Sequence, residues 1–271
     1  MSFYFLFILF SMFGAEFSHA QMPNLIVPKK VSNNSQVLRL NETSKKYTFS
    51  NNMYYMEDKT NLLTIDDVTD HQVRNKFQLL TQDNISLGYI ESTIWLKFTL
   101  VSSNNIDWRL LFDYPLLDEI VIYSDGENNQ WQTFTMGDLL LFDKRPITHR
   151  YFVKNLIIEP NVQQHYFVKI KTTSSMQIRP SIVSAEKFFI EELANEMFFG
   201  LVYGIMLLMA IYNIFLYIAV KDITYLAYVF SVLSGCIFIM TLNGHAYQYL
   251  WPQSIEMANT GHHHLLIDLD V

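Results

Sequence analysis

Between residue 36 and about residue 185, apolar and polar side chains alternate along the chain. Thr93-Ile94-Trp95-Leu96-Lys97-Phe98-Thr99-Leu100 shows the pattern best, and 165–171 repeats it less strictly. A period of two puts successive side chains on opposite faces of a pleated strand. Segments 118–123, 130–135 and 150–158 read as further strands. Turn-forming clusters separate them: Asp125-Gly126-Glu127-Asn128-Asn129, Met136-Gly137-Asp138, Glu159-Pro160-Asn161 and 172–175. Many short strands with frequent turns predict an all-β jelly-roll sandwich. Only 64–77 (TIDDVTDHQVRNKF) suits a helix, with Thr64 or Asp66 as its N-cap. Trp95, between Ile94 and Leu96, is expected in the core.

The pattern changes after Met197. From there to Leu250 the only formal charges are Lys221 and Asp222. Segments 198–220 and 223–242 are uncharged, and each reaches the ~20 residues that a helix needs to cross hydrocarbon. They predict an α-helical membrane hairpin with antiparallel spans and lipid as its solvent. Gly200 and Gly204, four apart, would allow close helix contact. Asn213 should face another helix, because an unpaired amide in hydrocarbon costs a few kcal/mol; Ser231, Ser234 and Thr241 are the partners in reach. Segment 186–197 reads as an amphipathic coupling helix, with Phe188, Phe189, Leu193 and Met197 on its apolar face.

At the start, Phe3 to Phe13 is apolar apart from Ser11, and Ser18-His19-Ala20 has the small-x-small form that a signal peptidase cleaves. Residues 1–20 therefore read as a signal peptide and 21–35 as a linker. The sandwich (36–185) would be exported, the 221–222 loop cytoplasmic, and 243–271 a periplasmic loop leading into a third span.

Charge and composition mainly exclude. The 271 residues carry a formal net charge of −7, and no Lys/Arg cluster offers a nucleic-acid surface. One cysteine, Cys236, makes no intrachain disulfide and no cysteine-based zinc site. His262, His263 and His264 are adjacent, so on a regular element they point apart, and no metal site is expected. Asp66-Asp67 reads as a solvated first helical turn. No phosphate-binding glycine loop, nucleophile elbow or kinase motif occurs, so neither a cofactor nor catalysis is expected. For ligand binding the candidates are Trp131, set among Asn129, Gln130 and Gln132, then Trp108 and Tyr114. Tyr123 is a further aromatic of this kind. Arg145, beside Pro146, suits an anionic ligand or a carboxylate such as Asp138.

A set of motifs in order gives this pattern a relative. Leu87-Gly88-Tyr89-Ile90 leads into Ile94-Trp95-Leu96-Lys97-Phe98. Trp108, Tyr114-Pro115-Leu116-Leu117-Asp118-Glu119-Ile120, Met136-Gly137-Asp138 and Lys144-Arg145-Pro146-Ile147 follow. Together they resemble the type 2 extracellular domain of the bacterial seven-transmembrane receptors with diverse intracellular signalling modules. The likeness continues through Gly200-Leu-Val-Tyr-Gly204, Tyr212-Asn213, Lys221-Asp222, Tyr225, Tyr228, Leu242-Asn243-Gly244 and Gln248-Tyr249-Leu250-Trp251-Pro252.

The resemblance implies a jelly-roll sandwich similar in shape to carbohydrate-binding modules. It also implies seven spans with a cytoplasmic output module, commonly a histidine kinase or a diguanylate cyclase. A chain ending at Val271 is then expected to be a fragment or a truncated product without that module. The function expected is the sensory input of a receptor in the bacterial inner membrane. Its sandwich would bind a small molecule or carbohydrate and bias the packing of the helices. A homodimer is implied by the resemblance alone. The rival expectation is a non-signalling, membrane-tethered carbohydrate-binding or adhesion module.

Overall fold

Strand β6 (Thr93–Ser102) is the spine of the protein. Ile94, Leu96, Phe98 and Leu100 all point inward, and none is more than 2% exposed. A computed structural model describes residues 37–126 and 130–255. The signal peptide (1–20), the linker (21–35), His262 to His264 and the rest of 256–271 lie outside the described residues.

Around β6 the larger sheet runs β4 (Gln78–Leu79), β3 (Met53–Asp58), β6, β11 (Gln164–Lys171), β8 (Glu119–Asp125), β9 (Trp131–Met136). These pairs are antiparallel. β1 (Val37–Leu40) instead pairs in parallel with the end of β6, Val37 opposite Thr99. The smaller sheet has the order β10 (Phe152–Leu156), β7 (Trp108–Phe112), β13 (Pro180–Ser184), β2 (Lys46–Thr48). β5 (Ile85–Gly88) and β12 (Met176–Ile178) form a separate ribbon. The chain crosses between the two main sheets at most steps, as a jelly-roll sandwich does.

The core lies between these sheets. Leu96, Phe98, Ile120, Ile122, Val168 and Ile170 from the larger one meet Trp108, Leu110, Phe112, Phe152 and Ile182 from the smaller. Trp95 is fully buried, but on the opposite face. There it joins Met56, Val68 and Phe167 in a second cluster and stacks on Tyr123 at 5.8 Å. Its place in the strand explains this: an odd-numbered residue cannot share a face with Ile94 and Leu96.

The predicted 64–77 helix is two short ones, α1 (Ile65–Thr69) and α2 (His71–Arg74). Asp70 breaks it. That residue is extended, ends the first helix through its backbone N–H and caps the second by accepting from Gln72 N. Thr64 and Asp67 form a capping box at the start. Predicted strand 150–158 is shorter too, and Arg150 falls in the loop before β10.

At Ser184 the last strand becomes a helix with no loop between. Ser184 closes β13 and its hydroxyl caps α3 (Ala185–Val220) by accepting from Lys187 N at 3.3 Å. α3 continues unbroken to Lys221, which takes the left-handed conformation and turns the chain into α4 (Ile223–Leu242). α3 and α4 are long and apolar enough to cross a membrane, with mean hydropathies of 2.1 and 2.0. Only 22% and 11% of their apolar windows are buried, so the greater part of that surface is left for a non-aqueous surrounding. Ala210, Val229 and Val232 form their mutual contact. A one-turn helix, α5 (His245–Tyr249), follows and returns to the sandwich.

Candidate functional site

Two places hold side chains beyond what a stable sandwich needs: the junction where helices meet sheets, and the outer face of the larger sheet.

The junction is built from the loop before β10, the outer end of α3, and α5. Phe188, one turn into α3, lies against Leu111, Val153 and Val183 on the outer face of the smaller sheet. Arg109 and His149 contact the same ring. Backbone bonds tie the root of the helix, Ser184 N to Lys45 O and Ala185 N to Asp107 O. Lys45–Glu186 and Lys46–Glu191 add ion pairs at 2.6 and 2.8 Å; being exposed, they contribute little.

One turn further, Glu192 accepts hydrogen bonds from Arg150 Nη2 at 3.0 Å and from His149 Nε2 at 2.9 Å. His149 Nδ1 accepts from Tyr151 N, so the ring carries its proton on Nε2, pointed at the carboxylate. Burial alone would push the Glu192 carboxyl up. The His149 hydrogen bond and the Arg150 charge outweigh it and hold the group at about 2. The Arg150 side chain is wholly buried, lies 3.7 Å from Glu196, and sits over the rings of Tyr151 and Phe199.

Glu196 continues the network into α5. It pairs with His245 Nε2 at 3.1 Å, and His245 Nδ1 meets the Tyr203 hydroxyl at 2.8 Å. Burial, and then the Arg150 charge, push the His245 ring below its ordinary value. On the other side Arg145 donates to the carbonyls of His149 and Arg150 and stacks over Phe142, Phe152 and Tyr247. Asp138 lines a small void with Arg145, Arg150, Gly244 and Tyr247. Burial, then the neighbouring Asp118 charge, push its carboxyl up to about 7. Gly244, at φ 78°, admits the turn: a Cβ there would lie 2.8 Å from Pro115 Cβ and 3.2 Å from Arg150 Cβ.

His149, Glu192 and Glu196 hold their ligand atoms within 4.8 Å of one another, a spacing that suits a metal ion. Arg150 already puts a guanidinium between the two carboxylates, so an ion-pair network occupies the cluster, with Arg150 Nε and Nη1 buried without a hydrogen bond. Its partners come from the sandwich, from α3 and from α5. A shift of any one must break charged contacts in a buried setting.

The outer face of the larger sheet is a cross-strand row. Tyr54 pairs with Lys97, Lys97 with Phe167, Phe167 with Tyr123 and Tyr123 with Thr133. Trp131 and Phe77 both meet Phe167 edge-on, at 5.4 and 6.3 Å.

The residues expected to bind ligand are therefore dispersed. Trp131 is on this face and partly open. Trp108 is not a platform: it is 1% exposed in the main core, its Nε1 donating to Ser102 Oγ. It begins β7 on the inward face, and its apolar bulk is worth more there. Tyr114 packs partly buried against the same core, and burial raises its hydroxyl to about 12. Arg145 is not on an open loop but 8% exposed in the junction, its hydrogen bonds going to carbonyls.

In the hairpin, a Cβ on Gly200 or Gly204 would meet nothing within 4 Å, so these glycines do not seat α4. Asn213 is buried, as an amide in hydrocarbon must be, but its Nδ2 donates to Met209 O in its own helix. Ser234 and Thr241 also turn to carbonyls of their own helix. Of the expected coupling face only Phe188 is buried; Phe189, Leu193 and Met197 are 67%, 52% and 70% exposed. The packed stripe is Phe188, Glu192, Glu196. A charged pair at i, i+4 just before an apolar span was the signal for it.

A sandwich rooted by one unbroken helix in a hairpin of membrane length is the architecture of a membrane protein with one large domain outside the bilayer. The family 7TMR-DISM extracellular 2 matches residues 50–184, and 7TM diverse intracellular signalling matches residues 195–267. The chain belongs to this receptor family. Among curated proteins none matches the sequence. Solved structures show distant likenesses. One is a beta-glucosidase from Kluyveromyces marxianus in complex with glucose (8% identity, TM-score 0.32, covering 49% of this chain and 15% of that one). Another is TmCBM61 in complex with beta-1,4-galactotriose (10%, 0.23, covering 49% and 83%). A third is a two-domain esterase (CEX) active on acetylated mannans, co-crystallized with mannopentaose (11%, 0.23, covering 50% and 38%).

Proposed function

We propose that this chain is the non-enzymatic sensory input of a multi-pass receptor in the bacterial inner membrane, its sandwich on the periplasmic side. A small ligand, carbohydrate in character, binds on the Trp131 face of the larger sheet. Binding alters how the sandwich holds α3, and the helix carries the change through the bilayer. The observation that carries this reading is the absence of any joint between β13 and α3, together with the charged network that locks α3 and α5 to the β10 loop. A ligand signals only by binding two arrangements unequally, so this reading requires a second arrangement of the network.

The test uses the full chain in lipid nanodiscs. Sugars and small metabolites are screened by the thermal shift of the protein. Spin labels on the sandwich and at Lys221 then report their separation with and without a hit. The expected result is a ligand-dependent change in distance that vanishes when two glycines are inserted after Ile190, while binding persists. A change that survives the insertion refutes transmission through α3. Binding with no change in distance marks the chain as a tether that only displays its sandwich. Trp131→Ala should weaken binding while leaving the fold intact.

A further inference from the structure

Among the described residues, no ion pair neutralises the positive charge on the Trp131 face. Lys97 sits mid-row on that face, half-buried between Tyr54 and Phe167, with its ammonium 6.0 Å from the Phe167 ring. Among the described residues it has neither an ion pair nor a hydrogen bond. The charge that acts on it is Arg74, at the end of α2, and it is also positive. Burial first, then this repulsion, lower the Lys97 amine to about 8. Arg74 likewise has no carboxylate partner among the described residues.

Three of the described acidic groups nearby are already engaged, while Glu119, at the start of β8, acts on Tyr123 from the far end of the face. Asp67 is bound to Thr64, Asp70 caps α2, and Asp125 accepts from His165 N at 2.7 Å. Two like charges held together beside aromatic rings raise the energy of the empty face, and an anion bound there would lower it.

The rest of the face limits what that anion is. Trp131 and Tyr123 are each partly exposed on the same side, Tyr123 with one ring face stacked on Trp95 and Trp131 with its contact to Phe167 edge-on. The row from Tyr54 to Thr133 crosses five strands, but its middle member, Phe167, is buried beside Phe77, so the accessible part is Lys97 on one side and the Tyr123–Trp131 end on the other. A flat ring face suits an aromatic surface, and a carboxylate suits a lysine–arginine pair. A lone inorganic ion would leave the rings unused.

We propose that this site takes an acidic oligosaccharide, a chain of uronic-acid units. The sugar faces lie along Trp131 and Tyr123, and a carboxylate lies between Lys97 and Arg74. The proposal rests on the sensory reading above and adds the ligand's charge to it.

The probe is a matched pair: an oligogalacturonate and the same oligomer with its carboxyl groups reduced to alcohols. Each is titrated calorimetrically into the full chain in nanodiscs at low and at high salt. The acidic oligomer should bind at least ~10-fold more tightly than the reduced one, as expected of a hydrogen bond to a charged partner. Salt should narrow the gap. Lys97→Gln and Arg74→Gln should each reduce it, whereas Lys97→Arg, which keeps charge and bulk, should retain it. Arg74 is exposed, so its variant tests the charge without disturbing the core. Equal binding of the two oligomers overturns the anionic site but leaves a sugar-binding face. Binding of neither also overturns it, and the receptor reading then stands or falls on the distance measurement.

Discussion

Arg150 decides how tightly the sandwich and the helices hold one another. It is the more deeply buried of the two arginines at the junction, and it is compensated chiefly by Glu192. Truncating one partner of a buried pair strands the other, at a cost of about 3–5 kcal/mol. Glu192→Ala should therefore lower the thermal midpoint of the full chain sharply. The pH dependence follows from the same contact. In the folded chain the Glu192 carboxyl is held at about 2, below its ordinary 4.5. The ionised form is thus the one that folding favours. Its contribution is complete above about pH 4.5 and is lost as the pH falls from there towards 2. Melting at pH 6, 4 and 3 should show this loss in the native chain and a flatter profile in Glu192→Gln. At this scale the sequence was only partly legible. Glu192 and Arg150 are 42 positions apart, and no local pattern links a loop arginine to a helix that distant in the chain. Trp108 and Trp131 pose the converse problem: both begin strands, and only the pairing register tells which one faces inward.

Elements were easier to read where one face alone is apolar. β8, β9 and β11 fall within a residue or two of the periodic segments, because their inward positions are mostly apolar and turn residues mark their ends. Where a second cluster covers the outer face, as at Trp95 and Phe167, the alternation blurs and the side of the sheet is lost. The parallel pairing of β1 with β6 has no local signal at all. Loops that carry the junction depend on one backbone conformation. Gly244 lies between α4 and α5 with positive φ, and Pro115 and Arg150 stand where a side chain on it would go. A side chain there meets both strain and a collision, so Gly244→Ala should cost about 2 kcal/mol or more. Circular dichroism melts of the full chain in detergent would show it, with the helical content below the transition unchanged.

For the molecule as a whole, the sharp change of solvent near residue 197 was legible because charge disappears from the sequence there. Which apolar faces of the hairpin meet lipid and which meet other helices was not, since both surroundings prefer the same side chains. The orientation is open to a direct check. With Cys236 replaced by serine, a cysteine placed at Lys221 should react with a membrane-impermeant maleimide only after the inner leaflet is opened. A cysteine at exposed Ser103 should react from outside in intact spheroplasts. The reverse pattern would invert the topology.

Ser184 belongs to a sheet through its backbone and to a helix through its hydroxyl, so nothing at that point can bend independently. The helix it starts has 36 residues and is roughly 54 Å long at 1.5 Å per residue. A tilt of ~5° in the smaller sheet would swing the far tip by roughly 5 Å, about one helical turn. Geometry alone thus magnifies a sub-ångström adjustment among the strands into a displacement as large as a side chain on the opposite side of the bilayer.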